Sequence, residues 1–424
     1  MASSSKVKQK NAPRYDGTTA ADIARFGIRR ARGARGHEER RRLGLESTDK
    51  LMAEERGVLR RKVAICIVVL VVLVFCSLGI TGSVSYYQSL SYTVYTPLQV
   101  AAALAERIYN TVGSITHLYS PHTLNYIAEN VPGYYVIPGR AGVIGITLVC
   151  AVLLGVSGAL YQSVFKNPIA GPGMLGVGSG VSLGMMLLVY LYSFEAGAEL
   201  GLRYALCYGF GAAILVFVIL AGRKLSGKGK PFDIVTMLLL GSILSQLLGF
   251  IVSYVTLFVM DPSDYEIFYS LSQMLTVDTS ALSWMCLGIA FAVSFIPVWF
   301  MRFKLNALAF EEEEVRLMGI NFTGLRALAL ICGAIMILAA QIHTGAVAMI
   351  SLIVPFLARS WFGCEFRKQL IGCVCISTIL LMACRDICDL IPFVGDGLAI
   401  GSVVAVVAMP LFLLIMSRHM RGWE

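Results

Sequence analysis

The residues able to do chemistry in this chain are few, and several sit where a charge is costly. Arg359, Arg385, Asp386 and Asp389 fall inside apolar runs, where an ionisable side chain is a functional candidate by default. Arg385 and Asp389 are spaced i,i+4 and can pair on one helix face. Arg359 lies about one turn from the end of its run and can extend its head group to the interface. The five histidines are His37, His117, His122, His343 and His419. His117 and His122 lie near Tyr119 and Tyr126, a set that would suit heme or iron, although paired loop histidines are more often plain surface residues. His343, beside Gln341, suits an interfacial hydrogen bond better than a ligand role. The eleven cysteines lie mostly in apolar runs, where free cysteine behaves as a small hydrophobe. Cys373–Cys375 and Cys384–Cys388 lack zinc-site spacing, so no metal site is expected. The stretch GRKLSGKG (222–229) nearly spells a phosphate loop, but Gly229 stands where a magnesium-binding Ser or Thr belongs and no β-strand precedes it. No catalytic residue is expected: the chain reads as non-catalytic, with nucleotide hydrolysis left to a separate protein.

The elements that hold these residues are membrane helices. The chain is 57% hydrophobic and 14% charged, against about 25% charged in soluble domains. Residues 1–62 carry 17 Lys+Arg against 8 Asp+Glu, and the remaining 362 residues carry 18 of each. The net charge therefore resides in a basic tail with too little apolar surface to fold alone, best read as lying near anionic lipid. Ten spans are expected, near 63–82, 141–163, 174–193, 203–222, 234–258, 282–301, 323–342, 345–363, 370–391 and 397–417, each about the 20 residues a bilayer requires. Ten spans put both termini on one side. That side receives the basic tail, Lys166, the 222–230 loop, Arg302, Lys304, Arg326, Arg367, Lys368, Arg418 and Arg421. Excess Lys and Arg mark the cytoplasmic face, so both termini are expected there. The division is a tail, 1–62, and a membrane domain, 63–424, with an extracellular segment near 83–140.

One segment carries a stronger signal. Residues 155–184 read GVSGALYQSVFKNPIAGPGMLGVGSGVSLG. Ala151, Gly155 and Ala159, then Gly176, Gly180 and Gly184, recur every four residues, a spacing that lets helices in lipid approach closely. Between them Lys166, Asn167, Pro168 and Pro172 interrupt regular helix. Gly158 and Gln162 complete the pattern. The string resembles the segment "SGA-x-x-Q-x-x-F-x-N-P-L-A-x-P-x-x-L-G-x-x-x-G" of the FecCD-type permeases, the membrane subunits of bacterial ABC importers for iron–siderophore complexes, heme and cobalamin. The resemblance covers roughly 137–417. Ile137, Pro138 and Arg140 loosely match "R-L-P-R", and Trp284 stands where a tryptophan is frequent. Residues 345–363 are similar to "G-x-I-x-F-V-G-L-x-x-P-H-x-x-R-x-x-x-G" through Gly345, Leu352, Pro355, Arg359 and Gly363. Phe356 replaces the usual histidine and Ser351 a glycine. Asp389 stands where an arginine is common.

The resemblance implies an all-α polytopic fold of about ten transmembrane helices, like the type II ABC importer permeases. It also gives meaning to AFEEEEVRLMGINFTG (309–324). Acids in a first turn suit the helix dipole and Gly319 can end the helix. The segment is similar to the family loop whose short helices dock on the ATPase. Glu311, Glu312, Glu314, Val315, Leu317, Met318 and Gly319 are thus the expected coupling residues. The implied partners are an ABC ATPase that uses ATP and magnesium, an extracellular binding protein, and a second permease copy or paralogue. Arg107 and Arg140 are the candidates for docking the binding protein. No cofactor is expected in this chain. The cargo expected is an iron(III)–siderophore complex, then heme, then cobalamin. The rival reading is an ion-driven secondary transporter, which would need more intramembrane acids than this chain offers.

Overall fold

The computed structural model describes residues 45–83, 91–94, 136–168, 170–192, 200–225, 234–272, 279–345, 347–390 and 400–420. The chain is built from helices: α1 (Leu45–Gly79), α2 (Val136–Phe165), α3 (Val177–Tyr192), α4 (Leu200–Leu225), α5 (Ile234–Phe258), α6 (Pro262–Ser272), α7 (Ala281–Met301), α8 (Glu312–Leu317), α9 (Phe322–Thr344), α10 (Ala348–Phe362), α11 (Phe366–Leu390) and α12 (Ile400–Met420). Two four-residue strands, β1 (Ile80–Ser83) and β2 (Ser91–Val94), pair antiparallel after α1. Helices dominate because a chain crossing lipid must satisfy its own backbone polar groups.

A helix coincides with each of the ten expected spans, without confirming ten crossings. Among the described residues, seven helices are long and apolar enough to cross a membrane: α1, α2, α4, α5, α7, α9 and α11. The apolar stretches Val177–Tyr192, Met349–Phe362 and Ile400–Pro410 are shorter. Polar interruptions explain two of these. The 166–176 connector delays the start of α3, and the Gly345 break, at φ 64°, splits α9 from α10. The first helix starts at Leu45, within the stretch read as tail. Residues 1–44 of that tail, and residues 84–90 and 95–135 of the expected extracellular segment, lie outside the described residues; so do Arg107, His117 and His122.

The core forms around α2, whose span is 72% buried, with α9 at 67% and α11 at 61%. These helices, joined by α10, bury Tyr161, Leu153, Leu160, Ile350 and Leu381. α1 and α5 are only 17% buried and present Ile65, Val68, Leu247 and Phe250 outward.

Candidate functional site

The two family-like motifs, 187 residues apart at their key positions (Gly158 and Gly345), form one contact. α2 crosses α10 at Gly158, where a Cβ would overlap the backbone carbonyl of Ser351 and crowd the Pro355 ring. Pro355 has no N–H and so does not supply the usual i→i−4 helical bond to the Ser351 carbonyl. One turn along, the Gln162 amide donates to the Leu352 carbonyl at 2.8 Å. A β-carbon at Gly155 would lie 2.8 Å from Ser377 of α11. Tyr161, fully buried, donates to the Leu330 carbonyl of α9 at 3.2 Å. The glycines of α3 work the same way on α4: at Gly180 a Cβ would be 2.9 Å from the Phe210 carbonyl. Between the helices, Asn167 accepts from the Ala170 N–H at 3.1 Å. Pro172 opens a short 3-10 turn that Gly176 closes at φ 77°. Arg359 is half-buried near the end of α10.

The coupling-like segment stands at one end of this core. A 3-10 turn, Lys304–Ala309, buries Leu305, Ala307 and Leu308. Glu311 is the N-cap of α8, and its N–H donates to the Glu314 carboxylate at 3.4 Å, half of a capping box. Val315 is completely buried and pins α8 to the core, whereas Leu317 is 90% exposed and Met318 and Phe310 are also exposed. Gly319 ends α8 at φ 73°, a left-handed turn that favours glycine. Glu312 pairs with Arg316 at 2.6 Å on the exposed face. A cleft of about 360 Å³ opens beside α8, lined by Val164, Lys166, Glu311, Glu312, Glu313, Phe322 and Arg326.

Two hydrogen bonds fasten this segment to the core. The Lys166 ammonium, just past α2 and with φ 48°, donates to the Phe310 carbonyl at 2.7 Å. The Phe366 N–H, at the start of α11, donates to the Asn306 side-chain oxygen at 2.8 Å. The role of Asn306 was not read from the sequence. An Asn capping a helix sixty residues later leaves no local signature.

At the other end of α2 and α11 lies a buried charge cluster. Arg140 pairs with Asp389 and approaches Asp386 at 3.9 Å; Arg385 approaches Asp389 at 3.8 Å. The Arg140 Nε also donates to the Ser77 carbonyl of α1 at 3.2 Å. The Arg140 side chain is 11% exposed. The two aspartates of α11 draw its guanidinium inward, so contact with a binding protein would require them to release it. The pairing of Arg385 with Asp389 within α11 is present, but Arg140 was the missing third member.

His343 is buried, with Nδ1 2.8 Å from the Ala339 carbonyl and Nε2 3.2 Å from the Tyr204 hydroxyl. Tyr204 in turn meets Ser283 at 2.5 Å, so His343 ties α9 to α4 and α7. Arg203 caps the end of α9 through the Ile342 carbonyl at 3.1 Å. Among the described residues no three His, Cys, Asp or Glu side chains group to hold a metal ion.

These features define a polytopic α-helical membrane protein with a tightly packed core and an exposed, partly apolar segment at one end. Residues 108–418 match the FecCD transport family, and the chain belongs to that family. It is similar to a "probable iron chelatin transport system permease protein" of Helicobacter pylori, 27% identical over 64% of this chain and 80% of the relative. It is likewise similar to the vitamin B12 import system permease protein BtuC of Klebsiella pneumoniae, 27% identical over 64% of this chain and 78% of the relative. Among solved structures, an inward-facing metal-chelate type ABC transporter shares the fold, with a TM-score of 0.62, 19% identity, and coverage of 85% of this chain and 99% of that one.

Proposed function

We propose that this chain is the membrane subunit of an ATP-driven importer that carries an iron(III)–siderophore complex across the cytoplasmic membrane. The observation that carries the reading is the 304–319 segment. It is rigidly joined to α2 and α11 through Lys166 and Asn306. Yet it leaves Phe310, Leu317 and Met318 exposed, beside a cleft rimmed by three glutamates and two cations. A surface that is stiff behind and apolar in front suits transmission of force from an ATPase, which would bind ATP and magnesium and do the hydrolysis. This chain is then a non-catalytic partner of that ATPase.

The orientation follows from charge. Lys166, Arg302, Lys304, Arg326, Arg367 and Lys368 lie at the segment's end of the helices, which the positive-inside rule assigns to the cytoplasm together with both termini. The opposite end then faces the binding protein, with Arg107 and Arg140 as the candidate contacts. α5 supports a paired arrangement. It is 17% buried, and its exposed face mixes Leu247 and Phe250 with Gln246 and Ser253. Polar groups are costly against lipid and suit a pathway shared with a second permease copy or paralogue. The similarity to an iron chelatin permease motivates iron(III) chelates, and the similarity to a vitamin B12 permease makes cobalamin the alternative. The ion-driven reading finds little support, because Asp386 and Asp389 lie beside Arg140 and Arg385.

The test is purification of the detergent-solubilised chain with its partners, followed by an ATPase assay with and without a ferric siderophore on the binding protein. A co-purifying ATPase, stimulated severalfold by the loaded binding protein, is expected. Stimulation by cobalamin instead would change the cargo. A chain that purifies alone and transports on an ion gradient without ATP would overturn the reading.

A further inference from the structure

α2 and α11 pack against each other along their length, and three points mark their ends and middle. At one end both are hydrogen-bonded to the coupling-like segment, α2 through Lys166 to Phe310 and α11 through Phe366 to Asn306. In the middle they touch at Gly155 and Ser377, where even a Cβ on Gly155 would lie 2.8 Å from the serine side chain. At the far end they meet in the Arg140–Asp389 ion pair. On α2 the middle contact lies about 22 Å from Arg140 and about 16 Å from Lys166, at 1.5 Å per residue. On α11 it divides the helix into arms of about 17 Å and 18 Å.

The closest approach of these two packed helices is at Gly155 and Ser377, which makes that point the fulcrum for any relative tilt. Interdigitated packing resists sliding, so a change in spacing at one pair of ends is carried to the other. From this geometry we infer that Arg140 and Asp389 form an ionic latch, worked from the coupling-like segment, that holds the far ends of α2 and α11 together and releases during the transport cycle. The inference rests on the importer reading above.

The cluster's own chemistry fits a contact that opens. A buried ion pair contributes little net stability compared with apolar residues of the same volume, so it is weak as a mere staple. The two neighbouring charges lean on the same pair: Arg385 approaches Asp389 at 3.8 Å and Asp386 approaches Arg140 at 3.9 Å. Both Asp386 carboxylate oxygens, and Nε and Nη1 of Arg385, are buried without a hydrogen-bond partner among the described residues. Such an arrangement is less settled than the glycine crossing below it. Opening it would let water reach four charged groups. The Ser77 carbonyl, held by Arg140, brings the end of α1 into the same latch. α1 lies outside the family match of 108–418.

The test compares three full-length variants, each purified with its ATPase and reconstituted in vesicles. Cargo delivered per ATP hydrolysed is the readout, with ferric siderophore on the binding protein as the probe. The double variant R140M/D389L removes the pair but leaves Arg385 without the Asp389 carboxylate and Asp386 without the Arg140 guanidinium, so its yield of complex with the ATPase is measured first and its cargo per ATP is read per assembled complex. Its cargo per ATP is expected to fall at least tenfold while hydrolysis stays within twofold. R140K keeps the pair and is expected to stay within threefold of wild type. N306A, which frees α11 from the segment, is expected to fall in the same direction as the double variant. Normal cargo per ATP in R140M/D389L would overturn the latch and leave a structural staple. A wild-type complex without ATP-dependent uptake would overturn the importer reading instead, and the latch with it.

Discussion

The Gly158 crossing and the α8 segment are built on opposite rules. At the crossing, every neighbour is fixed: backbone meets backbone, Ser351 and Leu352 offer their carbonyls, and Gln162 fills the one polar need within reach. In α8 one residue, Val315, is fully buried, and the apolar side chains on either side face outward. A transporter needs both kinds of region. The first leaves its helices no room to separate or slide. The second offers a handle that costs nothing in the fold, because its apolar groups are already exposed.

The largest expected effect separates the two directly. Gly158→Val places atoms where the Ser351 carbonyl already stands, and backbone cannot move aside as a side chain can. Overpacking of this kind costs about 1–3 kcal/mol or more, and loss of folded protein in detergent size-exclusion is the expected outcome. Gly288→Val is the control, since a Cβ there meets nothing within 4 Å; it should express normally. Equal yields for the two variants would mean that α2 and α10 do not approach as described.

Leu317→Glu comes next and reverses the pattern. Leu317 is 90% exposed, so the thermal midpoint of the purified chain should stay within about 1–2 °C, as for surface changes generally. Uptake and ATPase co-purification should fall at least tenfold. A variant that keeps both would place the docking surface elsewhere. Gln162→Leu is a smaller change confined to the crossing. It removes the side-chain hydrogen bond to the part-buried Leu352 carbonyl, a net loss of about 0.5–1.5 kcal/mol, visible as a lower thermal midpoint.

Much of this was legible in the sequence, for reasons tied to particular residues. The glycines at four-residue spacing announce close helix contact, because lipid gives no other reason for them. The acids before Val315, and Gly319 after it, mark a short capped helix. What was not legible was long-range. Nothing local pairs Arg140 with Asp389, 249 residues away, and the family-like position of Arg140 suggested a partner outside the chain. The shortness of α3 and α10 was hidden for a different reason. An apolar run shows where lipid or core is tolerated, but not where the helix stops inside it. Asn306, Tyr204 and His343 belong to contacts between distant helices, which composition and periodicity do not report.

The smallest expected effect tests whether α8 is held by its buried residue or by its surface charges. Arg316 and Glu312 pair at 2.6 Å, but their side chains are 69% and 44% exposed. An exposed i,i+4 pair contributes about 0.3–0.5 kcal/mol, less in salt. Arg316→Ala should therefore leave the thermal midpoint unchanged within error at physiological ionic strength. Val315→Ala, which removes two buried methyl groups under α8, should lower it measurably, by an amount nearer 1–2 kcal/mol on the scale of about 0.8 kcal/mol per buried methylene. If Arg316→Ala proved the more damaging to ATPase association while neither changed stability, Arg316 would itself be a docking contact. The division between a pinned inner face and a free outer face of α8 would then need to be redrawn around the charge pair.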